Sequence, residues 1–224
     1  MHALDFDYML GLVPILLGYL PLTLEMAAAG MACALVLACL LAVIRVTRVP
    51  GLNAFALLFI SFFRGTPLLV QLFLFYYGLP QVLTFLVAIN GITATILGLT
   101  LHFSAYMAES IRAAIVGIDR SQTEAALSIG MTRAQLMRRI VLPQATRIAT
   151  PTLMNYFIDM IKSTSLAFTL GVTELMGATQ KEAAGSFLYF EAFLVVAVIY
   201  WIVVEALSWV QKWLEQRLNR AYQR

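Results

Sequence analysis

The chain has 224 residues, 61% of them hydrophobic and only 12% charged, about half the charged share of a soluble domain. Its 15 basic and 12 acidic side chains are too few to clothe a water-soluble core of this apolarity, so the chain reads as an all-α membrane protein of one domain spanning residues 1–224. The net charge of +3 comes without a basic stripe interleaved with aromatics, which excludes nucleic acid as the partner and leaves membrane topology to explain the charges.

The N-terminus, MHALDFDY, carries Asp5 and Asp7 and no basic residue. It lacks the basic start of a cleavable signal peptide, so the first apolar run is expected to stay in the mature protein. Apolar runs at 14–44, 63–79, 92–115, 148–170 and 187–210 predict about five transmembrane helices. Within the first, Cys33 and Cys39 are six helical residues apart, about 9 Å, too far for a disulfide and expected to pack. Gly30, Ala34, Ala38 and Ala42 form a small-residue stripe that suits either internal packing or a subunit contact. Glu25 lies in the outer part of this run, at the external interface or facing a partner subunit.

The stretch 49–63 is too short to cross, and Pro50 and Gly51 mark a bend, so a helix along the interface is predicted there. Arg64, Gly65, Thr66 and Pro67 mark where it breaks and the second span begins. A cytoplasmic gate or a headgroup contact would also employ Arg64. In the third span His102, Tyr106 and Glu109 share a face, with Arg112 a turn beyond. A Glu109–Arg112 bridge is favoured, and His102 is read as a hydrogen-bonded packing residue. No spacing of His, Cys and carboxylates makes a metal site.

After the third span the chain becomes polar. Ser121 with Glu124 forms a candidate capping box, Gly130 a left-handed stop, and Thr132 with Gln135 a second capping box, before Pro143 ends the second helix. This predicts a rigid helical hairpin at 121–143, whose Ala125, Ala126, Leu127 and Ile129 form either a knob suited to a groove or part of a stabilised loop that merely connects the third and fourth spans. In the fourth span Asn155 and Asp159 share a face, with Ser163 a turn further and Thr164 beside it. Asp159 there suits a substrate ammonium group on a translocation path, or a pair with Lys162 that fixes the helix end. Trp201, Trp209 and Trp213 bracket the last span as interface anchors.

The sides follow from the basic residues. Arg45, Arg48 and Arg64, six arginines from Arg112 to Arg147, and Lys212, Arg217, Arg220 and Arg224 make thirteen of the fifteen, all on one face under this topology. Only Lys162 and Lys181 fall opposite, which puts the N-terminus outside and the hairpin and C-terminus in the cytoplasm. An odd number of spans rules out two equal inverted halves in one chain, so a symmetric pathway needs a second copy or a similar subunit.

Several motifs together carry a resemblance that covers nearly the whole chain. Glu124-Ala125-Ala126, Gly130 six residues after Glu124, and Leu142-Pro143 resemble the EAA loop of permease subunits of ATP-binding-cassette (ABC) importers. RGTPLLVQLF at 64–73, AYMAESIRAAI at 105–115 and KSTSLA at 162–167 are similar to the polar amino-acid branch of that family. The resemblance implies the type I importer fold, location in a prokaryotic plasma membrane, and four kinds of partner. These are cytoplasmic ATPases that receive the hairpin, a second permease, an extracytoplasmic amino-acid-binding protein, and lipid.

No GxxxxGK[ST] pattern occurs, so this chain is not the enzyme and needs no cofactor of its own. ATP and Mg are expected on the partner. RGTPLLVQLF with YYGLPQ, SIGMT and MRRIVLPQA is most similar to permeases for cystine and related sulfur amino acids. Permeases for basic amino acids, histidine, glutamine or glutamate share much of this pattern. An ATP-independent secondary transporter or channel, and a scaffold that anchors a cytoplasmic enzyme, are the rivals of a different class.

Overall fold

The computed structural model describes residues 4–83 and 87–219, and the elements formed by these residues are helical. Asp5 caps α1, Phe6–Leu17, by accepting the Tyr8 N–H at 2.9 Å. The expected first span is broken after α1, because Pro21 has no N–H for the ladder and its ring opposes the Leu17 carbonyl. The chain restarts as α2, Leu20–Thr47. Arg48 and Gly51, both at positive φ, turn it into α3, Leu52–Gly65. This is the predicted bend and the predicted short helix.

Thr66 is extended ahead of Pro67, as the residue before a proline prefers. The helical run 68–82 follows at 110° to α3, and the pair together is long and apolar enough for one broken span. It comprises α4, Leu68–Phe73, a π turn at Leu74–Gly78, and α5, Leu79–Val82. α6, Gly91–Val116, runs straight after an Asn90 cap. Then come the hairpin helices α7, Arg120–Ser128, and α8, Arg133–Leu136, and the long α9, Leu142–Ser163. A 3₁₀ segment at Thr164–Leu170, α10 at Leu175–Ser186 and α11 at Tyr189–Asn219 complete the fold.

Three of these helices, α2, α6 and the 189–217 part of α11, are long and apolar enough to span alone, and the bent pair makes a fourth. α9 has the length, since its 22 residues rise about 33 Å at about 1.5 Å each. It fails as a uniformly apolar span because it carries Arg147, Asp159 and Lys162. Its polarity marks it as the helix with a task other than meeting lipid.

The core lies where α2 crosses α6. Ala27, Ala34, Ala38 and Ala42 are fully buried there, and a methyl added at Gly30 would stand 3.1 Å from Met160 Sδ and 3.4 Å from Leu99 Cβ. The small-residue stripe thus serves internal packing. Cys33 and Cys39 are exposed on the outer side of α2 and pack into no core of this chain. The periodicity that buries positions 30, 34, 38 and 42 turns both cysteines outward. Glu25 is exposed on α2 as well. A second core joins α1, α10 and α11 through Leu12, Leu16, Leu175 and Val195. Trp201, Trp209 and Trp213 all face outward from α11, with the Arg217 guanidinium 4.3 Å from the Trp213 ring centroid.

Candidate functional site

The polar hairpin begins two residues earlier than its sequence suggests. Asp119, not Ser121, is the N-cap, and its carboxylate accepts the Ser121 N–H at 2.9 Å. That bond holds the Asp119 carboxyl below its ordinary range, so the cap is intact at neutral pH and is lost only in acid, as pH falls through this lowered value. With Asp119 as cap, Gln122 takes the third position, and Glu124 is left exposed on the helix flank instead of folding back on Ser121. The second capping box forms as expected, with Thr132 Oγ1 accepting from Gln135 N and Gln135 Oε1 accepting from Thr132 N.

Gly130 sits at φ +81°. Its N–H reaches Leu127 O at 3.0 Å and the Met131 N–H reaches Ala126 O at 3.1 Å, the paired bonds of a glycine-stopped helix. Ala126 is buried against Leu136, Val141 and Ile118, so it is a brick of the hairpin's own small core and not part of its outer face. Ala125, Leu127 and Ile129 are exposed, Ile129 at 77%. Pro143 does not stop the helix. A π turn at Met137–Val141, in which the Leu142 N–H bonds Met137 O, widens the spiral ahead of the proline ring, and the chain runs on into α9 with Leu142 and Pro143 in its exposed first turn. Gln144 Nε2 donates to Ile140 O at 3.0 Å and to Gln122 Oε1 at 2.7 Å, bracing α7 directly on α9. A lone Gln after Leu-Pro gave no sign of this in the sequence.

The second polar region opens between α6 and α9. His102, Phe103, Tyr106, Tyr156 and Asp159 line an open cleft of 240 Å³. Asn155 lies one turn before Asp159 on the same exposed side of α9. Asp159 and Lys162 form an ion pair at 2.6 Å, both side chains about half exposed. The Ser163 hydroxyl donates to Asp159 O at 2.8 Å. Thr164, by contrast, is fully buried, so it backs the segment and does not line the cleft.

Arg64 stacks its guanidinium 5.4 Å from the Tyr106 ring centroid, and the Tyr106 hydroxyl donates to Arg64 O at 3.3 Å. The break after Arg64 is held by Gln71, which was not singled out from sequence. Its amide Nε2 donates to Phe63 O, Thr66 O and Thr66 Oγ1 at 3.0, 3.1 and 2.8 Å. That set of acceptors orients the amide, leaving Gln71 Oε1 to take the proton of His102 Nδ1 at 3.1 Å. His102 is therefore the hydrogen-bonded residue expected, and the signal for Gln71 was a single amide in an apolar run. Gln71→Leu is expected to cost about 2 kcal/mol or more, since each buried carbonyl left unpaired costs about 1–3 kcal/mol. A fall in the thermal midpoint of the purified protein checks it.

Toward the other end of α6, Glu109 takes Arg112 at 2.8 Å and also Arg45 at 3.4 Å, and Arg45 Nη1 reaches Asn53 Oδ1 at 2.8 Å. The expected bridge is thus part of a larger clasp that binds α2, α3 and α6. The participation of Arg45 and Asn53 depends on the α2–α3 turn and is invisible to helical spacing.

A capped hairpin with exposed apolar groups, joined to a helix whose polar face opens on a cleft, is the layout of a membrane permease driven by a separate subunit. The chain belongs to the family of binding-protein-dependent transport system inner membrane components, whose pattern matches residues 34–220. Over 98% of this chain and 99% of the relative, it is 65% identical to a probable amino-acid ABC transporter permease protein, PatM, of Vibrio harveyi. It is 38% identical to the L-cystine transport system permease protein TcyL of Bacillus subtilis (strain 168), over 97% of this chain and 93% of that one. A crystal structure of an amino acid ABC transporter with histidines contains a chain that superposes with a TM-score of 0.90 at 33% identity, covering 96% of this chain and all of that one. The protein is accordingly the permease subunit of an amino-acid ABC transporter, an inner-membrane component with the type I permease fold, and ATP hydrolysis belongs to a separate subunit.

Proposed function

We propose that this permease carries a polar amino acid inward, with cystine or a related sulfur-containing amino acid favoured, and that the hairpin transmits movement of the ATPase to α9. The observation that supports this most is the hairpin itself: fixed by two caps, a glycine stop and the Gln122–Gln144 brace, it presents Glu124, Ala125, Leu127 and Ile129 outward while its own core stays filled. A loop that merely joined two spans would not need exposed apolar groups on so rigid a frame. On this reading the hairpin lies in the cytoplasm and the N-terminus outside, as the clustering of thirteen of the fifteen basic residues on one side supports, and a second permease completes the pathway.

For the substrate path we take Asn155, Asp159, Ser163 and Thr164, of which Asp159 lines the cleft, Asn155 and Ser163 lie one turn to either side of it, and Thr164 is buried behind. The Asp159–Lys162 pair is half exposed, and such pairs contribute about 0–1 kcal/mol. An incoming ammonium group can replace Lys162 at little cost. Arg64 lies 5.4 Å from the centroid of the Tyr106 ring, one of the rings that line the cleft. The cystine preference is supported by the motifs at 64–81 and 128–145 and by the likeness to the cystine permease.

The test is uptake of labelled cystine by cells lacking their own cystine importers and supplied with this permease, its ATPase and its binding protein. Expected is ATP-dependent uptake blocked by unlabelled cystine and not by arginine, histidine, glutamine or glutamate. Entry of one of those instead would replace the substrate, and uptake that survives loss of the ATPase would replace the mechanism with that of a secondary transporter or channel.

A further inference from the structure

We propose that His102 is itself a contact of the transported amino acid, on the substrate path read above and dependent on that reading: its Nε2 accepts a hydrogen bond from the substrate ammonium group that Asp159 attracts. His102 lines the cleft between α6 and α9 together with Phe103, Tyr106, Tyr156 and Asp159. Its ring centroid stands 5.3 Å from that of Phe103 and 5.1 Å from that of Tyr106, so aromatic neighbours on α6 fix its place.

Which ring nitrogen is left for a ligand follows from a chain of hydrogen bonds that starts at the break after Arg64. The Thr66 hydroxyl donates its proton to Phe62 O at 2.8 Å. Toward Gln71 it can only accept, as the Phe63 and Thr66 carbonyls do, so the Gln71 atom that meets all three is the amide nitrogen. Gln71 Oε1 then faces His102 Nδ1 at 3.1 Å, and since that oxygen cannot donate, Nδ1 carries the proton. The neutral ring protonated at Nδ1 has its lone pair at Nε2. The other polar groups on the cleft walls are engaged elsewhere. The Tyr106 hydroxyl donates to Arg64 O at 3.3 Å, and the Tyr156 hydroxyl pairs with Ser110 Oγ at 3.0 Å. Two groups of the lining remain for a ligand, the Asp159 carboxylate and the His102 lone pair, and both are acceptors. Their complement is a cation that only donates, and every amino acid carries one in its ammonium group. A substrate carboxylate would be repelled by the first and find no proton on the second.

Two substitutions separate the roles of the two nitrogens. His102→Asn sets an amide N–H where Nδ1–H stands, so the bond to Gln71 is kept and the acceptor in the cleft is lost. His102→Gln, one carbon longer, carries an amide oxygen to the position of Nε2, so the acceptor is kept and the bond to Gln71 is lost. Each permease is assembled with its ATPase and binding protein in proteoliposomes, and uptake per ATP hydrolysed is measured at saturating substrate-loaded binding protein. The label is cystine or, where wild type does not carry it, whichever of arginine, histidine, glutamine and glutamate wild type carries. The thermal midpoint of each complex is read alongside. His102→Asn is expected to lower uptake per ATP about tenfold, and His102→Gln to stay within about threefold of wild type although its midpoint falls further. A purely structural role for His102 predicts the reverse order, with uptake following the midpoint.

Uptake per ATP in His102→Asn within twofold of wild type, or a fall in His102→Gln at least as deep as in His102→Asn, overturns the contact. Asp159→Ala on the same assembly tells this failure from failure of the substrate path. Loss in Asp159→Ala with normal His102→Asn removes His102 alone, and normal uptake in both removes the path. A wild-type assembly that carries none of the five amino acids overturns both.

Discussion

Gly130→Val is expected to cut uptake per ATP hydrolysed more than tenfold while the permease still inserts and assembles with normal abundance. Gly130 lies at φ +81°, where an L-residue costs about 1–2 kcal/mol and a β-branched one is a true outlier. The hairpin escapes that strain by turning the residue to negative φ. Doing so breaks the Gly130–Leu127 and Met131–Ala126 bonds and swings α7 away from α8. Space is no obstacle, since nothing lies within 4 Å of an added Cβ, so the effect comes from the backbone alone. Gly130→Asn is therefore expected to retain most activity, because asparagine tolerates the left-handed region. Glu124→Lys, which leaves the hairpin's internal bonds untouched, tests the docking face separately. Uptake and ATPase rates of reconstituted complexes carrying each variant are the measurement. Equal coupling in Gly130→Val and wild type would remove the transmission role from this hairpin.

The same hairpin shows what a linear reading can and cannot supply. Gly130 and the Thr132–Gln135 box were legible because each depends on residues within three positions. The first cap was misplaced because Ser121-x-x-Glu124 satisfies the pattern, yet Asp119, two residues earlier, is the acceptor the backbone uses. Pro143 reads as a stop under the rule for an α-helix, and the π turn that lets the helix continue depends on the local bonding of residues 137–142. Ala126 looked like part of an outward knob because nothing in sequence says that Leu136 and Val141 fold back over it.

In the spans, residues on one helix were readable and residues across helices were not. The Glu109–Arg112 pair follows from a spacing of three, whereas Arg45 arrives from 64 positions away. Asp159 was visible as a charge at depth, and its neighbours Asn155, Lys162 and Ser163 on α9 were named. The cleft that gives it a setting is made by His102, Tyr106 and Tyr156 across the α6–α9 contact. Glu174 sits between two apolar segments and was not singled out from the sequence. Its partners Thr23 and Tyr200 lie 151 and 26 residues away, so the cluster exists only in three dimensions.

Asp159→Ala is expected to lower amino-acid uptake more than tenfold with assembly and basal ATPase activity preserved. The side chain is about half exposed and its ion pair with Lys162 is a surface-type pair, worth about 0–1 kcal/mol, so its removal leaves the fold intact. What is lost is a carboxylate at the edge of a cleft otherwise lined, among the described residues, by His102, Phe103, Tyr106 and Tyr156, with no second acid among them to receive an ammonium group. If the pair with Lys162 were the whole purpose of Asp159, Lys162→Ala would do equal damage. The substrate reading predicts the opposite: Lys162→Ala frees the carboxylate and leaves uptake within about twofold of wild type. Asp159→Glu, which keeps the charge on a longer arm, is expected to fall between. Uptake rates for the three variants at saturating substrate-loaded binding protein separate the two accounts, because the binding protein's own affinity no longer enters. Equal losses in Asp159→Ala and Lys162→Ala would return Asp159 to the helix end, and normal uptake in Asp159→Ala would move the path elsewhere in the cleft.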